Sequence, residues 1–351
     1  MSSQKAVDHN SHNLVFYIYA PSFRSNSAGV KVLYKFCDQI NKQGFQAWVV
    51  IHNPRERGDT DPFDCPVLSQ ETADLHFAQG KKQIIVYSET VPGNPLRATN
   101  IVRYFLNFPG VLGGMTKFKS TEHSVAYSKR IAEKLTFDVP VLFIPAVDPS
   151  ELPSVRQKEN INLVYAGKYR AFIGEPSLDY GVETVEIFRS GSNKQTRDEV
   201  LNLLSRANRI YVWENSTIAT EAILLKTPVI FIQNPLLGKV IAELELGDLG
   251  YTFGLSEVEI EGARSELDQA AALYQSMLKA YPKKIKEWLQ DAQMYEWLPQ
   301  RQKIRVPIGK YLINAHRVRL FMGICQNHGL LQAIRVTREF GYLQVKKSGK
   351  G

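Results

Sequence analysis

Apolar runs of strand length alternate with stretches of helical spacing through most of this chain. Residues 14–20 (Leu-Val-Phe-Tyr-Ile-Tyr-Ala) are unbroken apolar, the signature of a strand buried on both faces. A turn over 21–28 follows, and from Gly29 to about residue 43 the apolar positions take helical spacing. Gly44 ends that pattern, and 46–51 returns as a strand. Residues 84–87 read as another strand, followed by a Pro/Gly turn and an expected helix over 96–106. Residues 125–127 and 139–144 read as further strands.

The segment 145–160 is rich in Pro, Ser and charge, which is a linker composition. A second series opens at 162–166 and continues through an expected strand over 182–188 and a helix over 197–206. Residues 210–213 then read as a strand, Glu214, Asn215, Ser216 and Thr217 as a turn, the next ten residues as helix, and 229–232 as a strand. Strands alternating with helices imply a parallel, doubly wound α/β architecture. The boundaries expected are a disordered N-terminus over 1–12, a first α/β domain over 13–147, a linker over 148–160 and a second α/β domain over 161–255. A mostly helical, basic extension is expected over 256–351, with short helices over 311–321 and 330–340.

Charge sharpens this division. The chain of 351 residues carries a net charge of +8, yet from residue 281 onward 14 Lys and Arg stand against 4 Asp and Glu. Such an end suits an anionic membrane surface, nucleic acid or an anionic lipid-linked substrate; a solvated face is the plainer alternative. Cys37, Cys65 and Cys325 are too far apart for metal-ligand spacing, and their odd number suits a reducing compartment. No apolar signal core opens the chain, and no stretch has membrane-spanning length. A cytoplasmic location, peripheral at most to the inner membrane face, is expected.

Several constellations can carry chemistry. Ser216 is placed to cap the helix that follows it, and the turn from Glu214 to Thr217 lies at a strand's carboxyl end, where open α/β sheets bind ligands. Ile218, Ala222 and Leu225 share a helix face, and Glu221 falls on or beside it. Glu221 is either an inward carboxylate for sugar hydroxyls or a glutamate at the edge of a packed face. Gly167, Lys168, Tyr169 and Arg170 follow the first strand of the second half; the glycine permits close approach, and either cation can oppose a diphosphate. In the first half, Asn26, Ser27 and Gly29 form a small, polar strand-to-helix turn without a dinucleotide fingerprint. Glu89 directly follows a strand in a loop stiffened by Pro92, Gly93 and Pro95, with Asn94 inside it and Arg103 beyond. Glu89 can orient or deprotonate an acceptor hydroxyl, or simply belong to a structural turn. Asp59 and Asp61 have D-x-D spacing but sit in a Gly/Pro turn, and the histidines are scattered, so no metal site is expected. His123 reads as a structural histidine. The tryptophans do not interleave with basic residues, and no nucleic-acid module is present.

Trp213-Glu214, Thr220-Glu221-Ala222 and Pro228-Val229, with two α/β halves, resemble glycosyltransferases of the GT-B fold. The likeness is to the retaining, nucleotide-sugar-dependent group of bacterial surface polysaccharide synthesis. The spacing from Glu214 to Glu221 is E-x6-E, one residue shorter than the E-x7-E usual in that family. The resemblance implies two Rossmann-like domains facing a cleft, and no cofactor beyond the nucleotide-sugar donor. Glu89, Lys168 and Glu214 are then catalytic candidates. Gly167, Lys168, Tyr169, Arg170, Asn215, Ser216, Thr217 and Glu221 would contact donor, Glu221 at the ribose. Asn26, Ser27, Gly29, Asn94 and Arg103 would contact a glycan or polyprenyl-diphosphate-linked acceptor. A sugar-nucleotide epimerase of the same fold, or a non-catalytic subunit that binds a partner enzyme or glycan, are the alternatives.

Overall fold

The computed structural model describes residues 13–114, 116–118, 122–180, 183–189, 191, 193–307, 322, 324, 325 and 329. In chain order the elements are β1 (Leu14–Ala20), α1 (Ala28–Lys42), β2 (Gln46–Ile51), α2 (Gln70–Ala78), β3 (Lys82–Ser88), β4 (Asn100–Phe105), β5 (His123–Ala126) and α3 (Lys129–Ala132). There follow β6 (Asn162–Tyr165), α4 (Gly167–Phe172), β7 (Thr184–Glu186), α5 (Arg197–Arg206), β8 (Arg209–Val212), α6 (Thr217–Leu224) and β9 (Val229–Phe231). The last are α7 (Glu243–Leu246), β10 (Tyr251–Thr252), α8 (Glu257–Ser265) and α9 (Leu267–Met294).

Two compact units result. The first holds residues up to Asp148 together with Ile241–Gly247 and Ala272–His316; the second holds Pro149–Val240, Asp248–Ala271 and the chain from Arg317. Unit 1 is built on a parallel sheet in the order β2-β1-β3-β4-β5, and unit 2 on a parallel sheet in the order β10-β9-β8-β6-β7. Renumbered from its own first strand, the second order is the mirror listing of the first, so both units wind alike. In each, the strand order reverses between the first and third strands: β1 and β3 in unit 1, β6 and β8 in unit 2. Loops leaving the carboxyl ends at that reversal form the ligand crevice of such folds.

The local chemistry explains most elements. β1 is buried at all seven positions, as its unbroken apolar run requires. α1 buries Val30, Leu33, Phe36, Cys37 and Ile40 against that strand, and Gly44, at φ +83°, turns the chain out of it. The opposite face of the unit 1 sheet packs Tyr17, Tyr19, Ile85 and Tyr87 with Leu68 and Ala73.

Four expectations need correction. Residues 96–106 are not a helix: Asn100–Phe105 forms β4, because Ile-Val-Arg-Tyr-Phe pairs in register with β3, which is buried from Gln83 to Ser88. Residues 139–144 make only an isolated bridge, Val141 to Ala126. The expected linker over 148–160 is tied to unit 2: Arg156 and Glu159 donate backbone N–H groups to the carbonyls of Ser205 and Arg206 at 3.1 and 2.7 Å. The stretch from residue 256 is no separate helical body among the described residues. Ile260 joins the core beside Val164 and Ile230, whereas Ile285, Trp288, Leu289 and Ala292 of α9 fill the core of unit 1 around Phe16 and Phe36. The stretch expected as a mostly helical, basic extension supplies buried side chains to two cores. The expected helices over 311–321 and 330–340, the 1–12 segment and most of the basic C-terminal positions lie outside the described residues. Among the described residues no helix is long and apolar enough to cross a membrane.

Candidate functional site

In unit 2 the loops after β6 and β8 meet at the point where strand order reverses. Trp213 continues the ladder past β8, its N–H donating to the Tyr165 carbonyl at 3.0 Å. That places Glu214 beside the start of α4. Its carboxylate, 1 % exposed, accepts hydrogen bonds from the backbone N–H groups of Lys168 and Tyr169, and from the Lys168 ammonium at 3.0 Å. The same ammonium donates to the Asn215 carbonyl at 2.9 Å. Glu214 therefore caps α4 from a neighbouring strand while neutralising the lysine in that helix's first turn. A side chain on Gly167 would bring a Cβ within 3.1 Å of the Tyr165 hydroxyl, so close approach is its role here.

Ser216 caps α6, accepting from the Ile218 N–H at 3.5 Å, and Thr217 is the first helical residue. Asn215 is fixed by its side-chain amide donating to the Lys239 carbonyl at 2.8 Å. Tyr169 packs on Trp213, ring centroids 4.5 Å apart, on the other side of the loop. Burial pushes the Tyr165 hydroxyl well above the usual phenol range; it is hydrogen-bonded with Ser216 and feels Glu214, Arg189 and Glu221.

Two donor candidates are engaged elsewhere. Arg170 pairs with Glu175 and Glu186 and lies over the Phe188 ring, turned to its own surface. Glu221 is inward, at 1 % exposure on the buried face of α6, but its oxygens are held by Arg189 at 2.8 Å and Arg197 at 2.6 Å. Sequence reasoning missed both arginines. Arg189 follows the three-residue strand β7, and Arg197 opens α5 inside the capping box formed by Thr196 and Glu199. The available signal was the polar run Arg-Ser-Gly-Ser-Asn-Lys-Gln-Thr-Arg over 189–197, directly after the strand expected over 182–188.

In unit 1 Glu89 directly follows β3, at that sheet's own reversal point. It is 2 % exposed, and burial pushes its carboxyl up to about 7 despite a hydrogen bond from the Leu106 N–H at 2.8 Å. The loop after β1 approaches the same place: a Cβ on Gly29 would lie 3.5 Å from Leu106 Cδ1. That loop, carrying Asn26 and the α1 cap Ser27, is anchored by Asp59, which accepts from the Ser25 N–H and hydroxyl at 2.7 and 2.6 Å, and by an Arg24–Glu56 ion pair. Asp61 accepts from the N–H groups of Phe63 and Cys65 at 3.0 and 2.9 Å, so both aspartates of the D-x-D spacing organise this turn.

The other acceptor candidates serve the scaffold. Arg103 lies on β4, not on a helix. Fully buried, it pairs with Glu122 at 2.9 Å and donates to the carbonyls of Val91 and Gly93 at 2.8 and 3.0 Å. The Asn94 side chain closes its own turn on Ala98 and accepts from the Tyr87 hydroxyl. His123 opens β5 and stacks on Tyr295, ring centroids 4.5 Å apart.

No protein-family model and no curated protein matches this chain. Among solved structures it is similar to a glycosyltransferase from Rickettsia africae, with 11% identity, 81% of this chain and 100% of that one covered, and a TM-score of 0.48. AviGT4, a glycosyltransferase involved in avilamycin A biosynthesis, is 14% identical over 81% of this chain and 100% of its own, with a TM-score of 0.43. WaaG, involved in lipopolysaccharide biosynthesis, is 12% identical over the same shares, with a TM-score of 0.41. All three are glycosyltransferases.

Proposed function

We propose that this chain is a GT-B-type glycosyltransferase that moves a sugar from a nucleotide-sugar to a hydroxyl of a glycan or lipid-linked acceptor in bacterial surface polysaccharide synthesis. The observation that carries the reading is the Glu214–Lys168 pair at the reversal point of the unit 2 sheet, beside the capped start of α6. The Lys168 ammonium and the N-terminus of α6 at that position suit a nucleotide diphosphate. The reaction breaks the bond between the anomeric carbon and the diphosphate, which leaves with the electron pair as a nucleoside diphosphate. The acceptor oxygen forms the new bond to that carbon and loses its proton. Glu89, held near neutrality, suits the acceptance of that proton in the unit 1 half of the machinery. No bound metal is required on this reading, because fixed positive groups oppose the developing charge.

The test is a panel of sugar nucleotides screened by thermal shift, followed by transfer assays with and without EDTA. A ligand that binds only the native state raises its melting temperature. One donor raising it, with turnover abolished in Glu214→Gln and unaffected by EDTA, is the expected result. Conversion of a donor to its epimer without acceptor identifies the epimerase instead. No stabilisation by any donor, with a co-purifying partner enzyme, identifies a non-catalytic subunit.

A further inference from the structure

We infer that Arg103 is a positioning residue for Glu89: it ties down the loop that presents the Glu89 carboxylate, and its ion pair with Glu122 sets the charge which that carboxylate meets. This rests on the reading of Glu89 as the proton acceptor in unit 1. Glu89 is the first residue after β3, and Arg103 stands on the neighbouring β4, opposite Tyr87. Its Nη1 donates to the carbonyl of Ser88, just before Glu89, at 3.4 Å and to that of Val91, two residues after it, at 2.8 Å. Its Nη2 donates to the Gly93 carbonyl at 3.0 Å. Within the same loop the Val91 N–H turns back to the Ser88 carbonyl at 3.1 Å, and the hydroxyls of Ser88 and Thr90 meet at 2.8 Å. The backbone of Glu89 is thus held by one guanidinium on both sides in sequence. That guanidinium is itself fixed, 5.2 Å from the centre of the Tyr87 ring and 5.8 Å from that of Phe118.

Charge supports the assignment. Arg103 and Glu122 match one to one: Nε and Nη2 meet a single Glu122 oxygen at 3.1 and 2.9 Å. Burial pushes the Glu89 carboxyl up; the N–H groups of Leu106, Glu89 itself and Asn107, and then the positive charge of Arg103, hold it down. The Tyr87 phenol beside Arg103 is raised by burial and stays neutral. The balanced pair is therefore the charged neighbour of a buried carboxyl, where solvent screens little. Taking the charge from Glu122 leaves Arg103 unopposed and favours the Glu89 carboxylate. Taking it from Arg103 leaves Glu122 unopposed and favours the protonated form. The two changes act in opposite directions, which loss of packing alone does not do.

Carbon-13 NMR of the Glu89 carboxyl on the full chain, assigned with Glu89→Gln and titrated with pH, decides this beside the pH profile of transfer. Glu122→Gln is expected to move the NMR midpoint, and with it the rise of turnover, to lower pH by about half a unit or more. Arg103→Gln is expected to move both to higher pH by a similar amount. Arg103→Lys keeps the charge, so its midpoint should stay near that of the wild type. Its kcat should still fall about tenfold or more at unchanged acceptor KM, because an ammonium cannot reproduce the guanidinium contacts that hold the loop. Where the Arg103 variants do not fold, Glu122→Gln decides alone, since its amide oxygen still accepts from Arg103. An unmoved midpoint in Glu122→Gln, or one that moves the same way in both charge variants, overturns the inference. Full kcat in Arg103→Lys overturns it too. Midpoints that move as expected, with full turnover in Glu89→Gln or no turnover of any donor by the wild type, would sink the proton-acceptor reading and leave the hold of Arg103 on Glu89 standing.

Discussion

A Cβ on Gly114 would sit 2.4 Å from the carbonyl oxygen of Glu89 and 2.9 Å from the Thr90 Cα. Gly114 also has a φ of +84°, so its lack of a side chain is required twice, by space and by backbone conformation. The segment carrying Gly110, Gly113 and Gly114 thereby rests on the backbone that presents the Glu89 carboxylate. Gly114→Ala is expected to cost roughly 1–3 kcal/mol from the backbone conformation alone. The clash with Glu89 adds to this. Denaturant unfolding gives the stability, and a shift of the activity-pH profile would report displacement of Glu89.

Glu89 itself sets a pH dependence. Its folded carboxyl, pushed up to about 7 by burial, lies above the ordinary unfolded value of 4.5. The stability it contributes is therefore fully present below pH 4.5 and is lost as pH rises through 7. Glu89→Gln keeps an acceptor for the Leu106 N–H and removes that slope. The difference in unfolding free energy between variant and wild type should change by on the order of 2–3 kcal/mol from pH 4.5 to 8, in favour of the variant at the alkaline end. Melts across that range check this. In a transfer assay, the rise of wild-type activity through neutral pH should be absent from the variant.

Arg103 is expected to matter for folding and not for acceptor affinity. Removing it by Arg103→Met leaves Glu122 without the Arg103 cation and takes the guanidinium donors from the carbonyls of Val91 and Gly93. Breaking a buried pair of this kind costs about 3–5 kcal/mol. Arg103→Lys should recover little, because an ammonium cannot reproduce the two contacts that Nε and a terminal nitrogen make to one Glu122 oxygen. Urea titration of both variants, with acceptor KM measured on the folded fraction, separates the two roles.

Lys158 fastens the carboxyl ends of two helices at once. Its ammonium donates to the carbonyls of Leu204 and Ser205 near the end of α5, to the Leu225 carbonyl after α6, and to the Thr227 hydroxyl. Terminal helix carbonyls have no partner within their own helix. Lys158→Met should lower stability by roughly 1–3 kcal/mol, the cost of taking its donor from the Leu225 carbonyl, while the Leu204 and Ser205 carbonyls keep the Thr227 hydroxyl and the Arg156 N–H. Hydrogen exchange should show the loss of protection around α5 and α6, with unit 1 amides unaffected.

The first and last strands of each winding differ in how plainly the residues declare them. β1, β2 and the β8-α6-β9 unit were legible because long or β-branched apolar runs end at Gly44, at Ser216 or before Pro228. β4 was misread because Leu96 to Leu106 carries both periods, and pairing with the buried β3 decides between them. β7 falls inside the strand expected over 182–188 but is only three residues long, and β10, with two residues, has too few positions to show any period. Of the candidate site, Glu214, Lys168 and Ser216 could be found because each directly follows a recognisable strand. That Lys168 and Glu214 are each other's partners, and that Glu221 gathers two arginines from far along the chain, are facts of tertiary pairing that no local spacing encodes. Arg170 shows the converse: its sequence neighbourhood suggests a ligand, and Glu175 and Glu186 claim it.

The helix α9 gives synthesis on the ribosome a direction. Core residues Ile285, Trp288 and Leu289 reach unit 1 only after every residue that builds the two described core clusters of unit 2, the last of which is Ile260, has been made. The half of the protein that emerges first must wait, with Phe16 and Phe36 uncovered, for the half that emerges later. A nascent chain halted at residue 148 would present that apolar surface to chaperones, and a protein cut after Val306 would retain the described core residues of unit 1.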